Sequence, residues 1–140
     1  MHRIAKLRDE HTRLIALVGR LNVVIAADAP PPDVELQSLR LNLATTLIGH
    51  LKSEDWLLYP DLLDNSDPRI VLLARRFCAE MGDLSKAFLD YSERWMKVPI
   101  GENWTDFCRE TRAITDALIE RIEREDRLLY PLLGTLDQAA

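Results

Sequence analysis

Two stretches decide the reading of this chain. The first is Leu47-Ile48-Gly49-His50-Leu51-Lys52-Ser53-Glu54-Asp55-Trp56-Leu57-Leu58-Tyr59-Pro60. The second is Leu118-Ile119-Glu120-Arg121-Ile122-Glu123-Arg124-Glu125-Asp126-Arg127-Leu128-Leu129-Tyr130-Pro131. A constant offset of 71 residues takes Leu47 to Leu118 and every later position to its counterpart. Leu47, Ile48, Glu54, Asp55, Leu57, Leu58, Tyr59 and Pro60 are identical in both copies. A fainter echo sets Glu10-His11 against Glu80-Met81. The pattern predicts two related helical hairpins and a pseudo-symmetric site between them.

Outward from the repeat, the breakers divide the chain. Asp28-Ala29-Pro30-Pro31-Pro32-Asp33 is a loop, because consecutive prolines cannot continue a helix. Asn65-Ser66-Asp67-Pro68 is a second break, with Asp67 as an N-cap and Pro68 as first helical residue. Val98-Pro99-Ile100-Gly101-Glu102-Asn103 is a third. Four segments remain, roughly 3–27, 34–64, 68–97 and 104–136. Each has apolar residues at alternating steps of three and four, the period of an amphipathic helix. The first seam is Ile4, Leu7, His11, Leu14, Val18, Leu21 and Ile25. The second is Leu36, Leu39, Leu43, Leu47, His50, Glu54 and Leu57. The third is Ala74, Phe77, Met81, Leu84, Phe88, Tyr91 and Trp95. The fourth is Ile114, Leu118, Arg121, Glu125, Leu128 and Leu132. Long helices joined by short loops pack as antiparallel neighbours. The expectation is an all-α, up-down-up-down four-helix bundle forming one domain over residues 1–140.

Composition agrees with a globular domain: 47% hydrophobic and 29% charged residues, enough apolar surface for a core without disulfide staples. A formal charge of −5 argues against a general nucleic-acid binder, which needs a clustered basic surface. No apolar run of about 20 residues predicts a membrane span. The start of the chain lacks the apolar stretch of a signal peptide, so a cytoplasmic protein is expected. Cys78 and Cys108 share no CxxC spacing and read as reduced, buried thiols.

Five polar residues fall on the apolar seams: His11, His50, Glu54, Arg121 and Glu125. Burying such charges is expensive unless they are paired or bind a metal. Two arrangements would satisfy them: a metal ion, or a closed network of ion pairs and hydrogen bonds. His50 and Glu54, four residues apart, leave one helix face and form a workable chelating pair. His11 sits at matching depth if the first two helices are antiparallel. Met81 reads as core packing. Tyr59 and Tyr130 are expected at the hairpin ends, with hydroxyls reaching water or a backbone carbonyl.

These residues resemble the hemerythrin-like (HHE, cation-binding) family. His11, the His50-xxx-Glu54 pair, Leu58-Tyr59-Pro60 and the repeated Glu125-xxxx-Tyr130-Pro131 carry the resemblance. It implies a bundle enclosing non-heme iron, with His11, His50, Glu54 and Glu125 as metal ligands. The second half departs from the pattern: Met81 and Arg121 stand where histidines are expected. At most one metal ion, iron by resemblance, is therefore implied, and a small gaseous ligand, oxygen or nitric oxide, would bind or be sensed there. The alternative is a metal-free regulatory bundle with a protein partner, in which the Arg121 guanidinium replaces the second metal and pairs with both carboxylates. An enzyme ranks last, since no nucleophile elbow, phosphate loop or nucleotide signature is present. Oligomeric state is not legible.

Overall fold

The computed structural model describes residues 3–81 and 83–133, except the side chain of Met81. Within them every regular element is a helix, with no strand. The first helix is Arg3–Ile25. The second runs from Asp33–Lys52 through a π-helical turn, Ser53–Leu58, into a last stretch, Tyr59–Leu63. The third comprises Pro68–Met81 and Leu84–Lys97. The fourth is Trp104–Arg124, continued by a second π-helical turn, Glu125–Leu129. The first helix packs against the second and fourth, and the third closes the ring against the same two. The four-helix bundle expected from the breakers is the fold. The expected extension of the last helix to 136 falls partly outside the described residues.

Local chemistry sets the boundaries. Asp67 caps the third helix: its Oδ1 accepts the Arg69 backbone N–H at 2.9 Å, and Pro68 follows in the first turn, where no N–H is required. Pro30, Pro31 and Pro32 hold the first loop out of helix. Trp104 Nε1 donates to the Ala27 carbonyl at 3.0 Å, tying the fourth helix to the end of the first.

Two π-helical turns interrupt the regular period and change the register. Tyr59 N–H bonds the Glu54 carbonyl, and Tyr130 N–H bonds the Glu125 carbonyl, five residues back in each case. The cause lies in the proline next to each tyrosine. A proline inside a helix has no N–H to give and its ring crowds the carbonyl four residues earlier. Widening the turn lets the helix continue through Pro60 and Pro131. Each inserted residue rotates the rest of its helix by about 100°, one helical position. The seams therefore shift: Leu57 is 63% exposed and Leu58 fully buried, while Leu128 is 43% exposed and Leu129 fully buried. Leu133, not Leu132, completes the fourth seam. Leu57 and Leu128 are thus corrected as core positions.

The core is two apolar clusters with a polar layer between them. One holds Leu14, Leu21, Leu43, Leu47, Phe88, Trp95 and Phe107. The other holds Ile4, Leu7, Leu58, Phe77, Leu129 and Leu133. Each fully buried leucine or phenylalanine contributes about 1.5–3 kcal/mol of transfer free energy. That stabilisation carries the charged layer. Cys78 and Cys108 are free thiols, as expected, but Cys78 is exposed and Cys108 half-buried. Cys78 follows Phe77 on the outward side of the seam, which corrects the expectation of burial. No helix among the described residues is long and apolar enough to cross a membrane.

Candidate metal centre

All five polar seam residues point inward and are essentially excluded from solvent. One ligating atom from each of His11, His50, Glu54 and Glu125 lies within 4.8 Å of every other. The first helix delivers His11, the second His50 and Glu54, and the fourth Arg121 and Glu125. Both carboxylates stand at the first turn of a π-helical segment.

The imidazoles face each other. His11 Nε2 and His50 Nε2 are 3.0 Å apart. Each Nδ1 is turned outward onto a carboxylate: His50 Nδ1 lies 2.7 Å from Glu10 Oε1, and His11 Nδ1 lies 2.9 Å from Asp126 Oδ1. A carboxylate accepts, so the hydrogen of a neutral ring resides on Nδ1 and the Nε2 lone pair faces the centre. Around those lone pairs stand further acceptors. Glu54 Oε1 is 3.0 Å from His50 Nε2, and Glu125 Oε1 is 3.1 Å from His11 Nε2. Glu125 Oε1 is buried and makes no hydrogen bond among the described residues.

The other carboxylate oxygens are held by tyrosines in a crossed pattern. Tyr59 O–H donates to Glu125 Oε2 at 2.6 Å, and Tyr130 O–H donates to Glu54 Oε2 at 2.6 Å. Each half thus fixes the carboxylate of the other half. Tyr130 also stacks on His11, with ring centroids 5.1 Å apart. Both hydroxyls are buried inside the polar layer, which corrects the expectation that they reach water or backbone. Burial and the nearby carboxylates push both phenols well above the usual tyrosine range, so they remain donors.

Arg121 occupies the opposite wall. Its Nη2 lies 3.2 Å from Glu54 Oε1 and 3.0 Å from Asp55 Oδ1, and its Nε lies 3.4 Å from Glu125 Oε2. The repeat explains this position. Arg121 is the counterpart of His50, and Asp55 is the counterpart of Asp126, which backs His11. With methionine at 81 in the place that echoes His11, Asp55 has no imidazole to orient. The guanidinium takes that carboxylate as well as the two central ones. Glu80, the counterpart of Glu10, is drawn instead to Arg124 at 2.6 Å. The Met81 side chain lies outside the described residues, so its expected place lining the site has no structural account.

Electrostatics reflect this crowding. Burial works against the Glu54 carboxylate, but hydrogen bonds from His50 and Glu125 and the His50 and Arg121 charges outweigh it and hold its pKa low. Burial and the Glu54 charge push Glu125 up to about 7. Burial also works against the His50 imidazolium, yet Glu54 and Glu10 raise its pKa to about 9. Burial opposes the Arg121 charge too, and the surrounding carboxylates more than offset it.

The model of the hemerythrin HHE cation-binding domain matches residues 2–133. The chain belongs to this family. Comparisons with curated proteins and with solved structures gave no match. The hemerythrin-like fold accounts for the inward placement of the four candidate ligands. Their donor set fits a cation: two imidazole lone pairs and two carboxylates converge, and one buried carboxylate oxygen is unsatisfied. The Arg121 side lacks such a set, since its wall is already lined by a permanent positive charge.

Proposed function

We propose that this hemerythrin-like domain is a metal-binding module that holds a single ion, iron, through His11, His50, Glu54 and Glu125. The observation that carries the reading is the pair of Nε2 atoms 3.0 Å apart, each ring fixed from behind by a carboxylate. Without a proton or a metal between them those lone pairs repel. Glu10 and Asp126 orient the rings and make them better donors, the arrangement typical of metal-bound histidines. Tyr59 and Tyr130 keep one oxygen of each carboxylate engaged and leave the other turned toward the imidazoles. A bound iron ion would supply an open coordination position for a small ligand such as oxygen or nitric oxide, whose binding state a partner protein reads. Arg121 stands in place of a second ion and neutralises the charge that ion would neutralise.

One observation favours a second reading. Arg121 already spans both central carboxylates and Asp55, so the polar layer has a cation of its own. On this reading the domain is a metal-free regulatory bundle. Metal content of the purified protein and of His50→Ala separates the two. The first reading expects about one ion per chain, lost in the variant. Two ions per chain would refute the single-site assignment, and a protein that takes up no ferrous iron when offered it would refute the metal reading altogether.

A further inference from the structure

A crevice of about 330 Å³ lies between the second and third helices, in the half of the bundle away from the imidazoles. Its floor is apolar, formed by Leu21, Leu43 and Phe88, and its rim includes Leu41 and Met96, which are 67% and 81% exposed. Arg40 stands in its wall. The guanidinium is half-buried over the Phe107 ring, 5.8 Å from the ring centre to Cζ. It donates to Gln37 Oε1 at 3.0 Å. Among the described residues no carboxylate comes within ion-pair distance of it. Asp33 acts on it only from further away, and that carboxylate accepts from Gln37 Nε2 at 3.5 Å.

This differs from the handling of Arg121, where every carboxylate in reach is engaged. Partial burial lowers the Arg40 pKa by more than Tyr91 and the more distant Asp33 raise it, the mark of a cation whose lost water is not fully replaced by counter-charge. A guanidinium retains its proton at any ordinary pH, so the imbalance is not relieved by neutralisation. It is relieved by an anion. The crevice has the size of a small-ligand site, at the lower end of the usual range, with an apolar floor and a few polar groups in its lining. Ser92 places a hydroxyl in the same lining.

We propose that this crevice binds an amphipathic monocarboxylate, its apolar body on Leu21, Leu43 and Phe88 and its carboxylate on Arg40. A guanidinium fork receives a carboxylate through two parallel hydrogen bonds, which fixes the orientation of the ligand. The site is independent of the metal centre and does not rest on the function proposed for it.

The test is calorimetric titration of the full chain with decanoate, with decanol as the same apolar body without charge and acetate as the charge without the body. Decanoate is expected to saturate at one per chain. Decanol should bind at least about tenfold more weakly and acetate not measurably, since a charge-assisted pair is the discriminating contact. Arg40→Met keeps the apolar stem and should cost decanoate about tenfold or more. Ala44→Phe, which fills the crevice from its lining, should abolish binding while Arg40 remains. Equal affinity for decanoate and decanol, an unchanged Arg40→Met, or no saturation would overturn the proposal. So would sedimentation showing a dimer that decanoate leaves intact and Leu41→Glu dissolves, because the face would then belong to a second copy of the chain.

Discussion

Replacing Arg121 with methionine removes the permanent charge from the polar layer while leaving an unbranched side chain of similar reach. Glu54 and Glu125 then face each other in the core, and Asp55 loses its partner at 3.0 Å. Breaking a buried ion pair typically costs about 3–5 kcal/mol, because the remaining charge is desolvated and uncompensated. Protonation of one carboxylate recovers part of that, and Glu125 is the one already displaced upward, to about 7. The cost in chelator near neutral pH is therefore set at about 3 kcal/mol, the lower end of that range. For a domain of this size, 1 kcal/mol corresponds to about 3 °C in Tm, so a fall of about 10 °C is expected. A divalent metal replaces the missing positive charge, so adding ferrous iron or zinc should restore more stability to Arg121→Met than it adds to the parent. Urea unfolding followed by circular dichroism, with and without metal, measures both effects. A variant that unfolds with the parent in chelator would show that Arg121 does not balance the carboxylates. A loss of stability that metal fails to reduce would show that the layer is not a cation site.

The remaining expectations concern the groups around the ligands. Tyr59→Phe and Tyr130→Phe each remove a buried hydrogen bond to a carboxylate, worth about 1.5–3 kcal/mol, and thermal denaturation should show comparable losses because the crossed contacts are equal at 2.6 Å; a loss in only one would break the pseudo-symmetry. Glu10→Gln removes the carboxylate behind His50 and should weaken metal binding about 10–100-fold in competition with a chromophoric chelator, without changing the stoichiometry. The metal-free protein should lose stability as pH rises from 6.5 to about 9. The His50 pKa is raised in the folded state, so its contribution is complete below 6.5 and gone above about 9. Glu125, raised from 4.5 to about 7, acts in the same direction at lower pH, its contribution being lost between 4.5 and about 7. Denaturation midpoints that climb across this window would contradict the assignment.

The bundle and its inward polar residues were legible because the seams of period three and four placed His11, His50, Glu54, Arg121 and Glu125 among leucines. The phase after each carboxylate was not. Tyr59-Pro60 and Tyr130-Pro131 lie inside runs that otherwise read as continuous helix, and proline inside a helix was the available signal. A periodic reading carries Leu57 and Leu128 into the core and leaves the tyrosines at the ends. The widened turns reverse both placements. Glu10, Asp55 and Asp126 escaped for another reason. They lie beside the seam, half-buried, and their role depends on which neighbouring helix faces them. Glu10 and Asp126 meet imidazoles from other helices. Such pairings across separations of 40 and 115 residues arise from packing, not from local spacing.

The repeat makes the substitution at 121 interpretable as more than the loss of a ligand. A two-fold arrangement would need four imidazoles, each with a carboxylate behind it. This chain keeps the complete set on one side, His11 with Asp126 and His50 with Glu10. On the other side it keeps the carboxylates Asp55 and Glu80 but not the imidazoles. Losing both histidines alone would leave Asp55 without a partner and two central carboxylates short of positive charge. Arginine is the side chain that answers both deficits from one position: its fork reaches Asp55 and Glu54 through Nη2 and Glu125 through Nε. Lysine, a point charge on a flexible stem, has no second edge to present. Arg121→Lys therefore preserves the charge but not the span, and its stability should fall between those of the parent and Arg121→Met. A lysine variant as stable as the parent would mean that charge alone, and not the planar fork, holds the layer together.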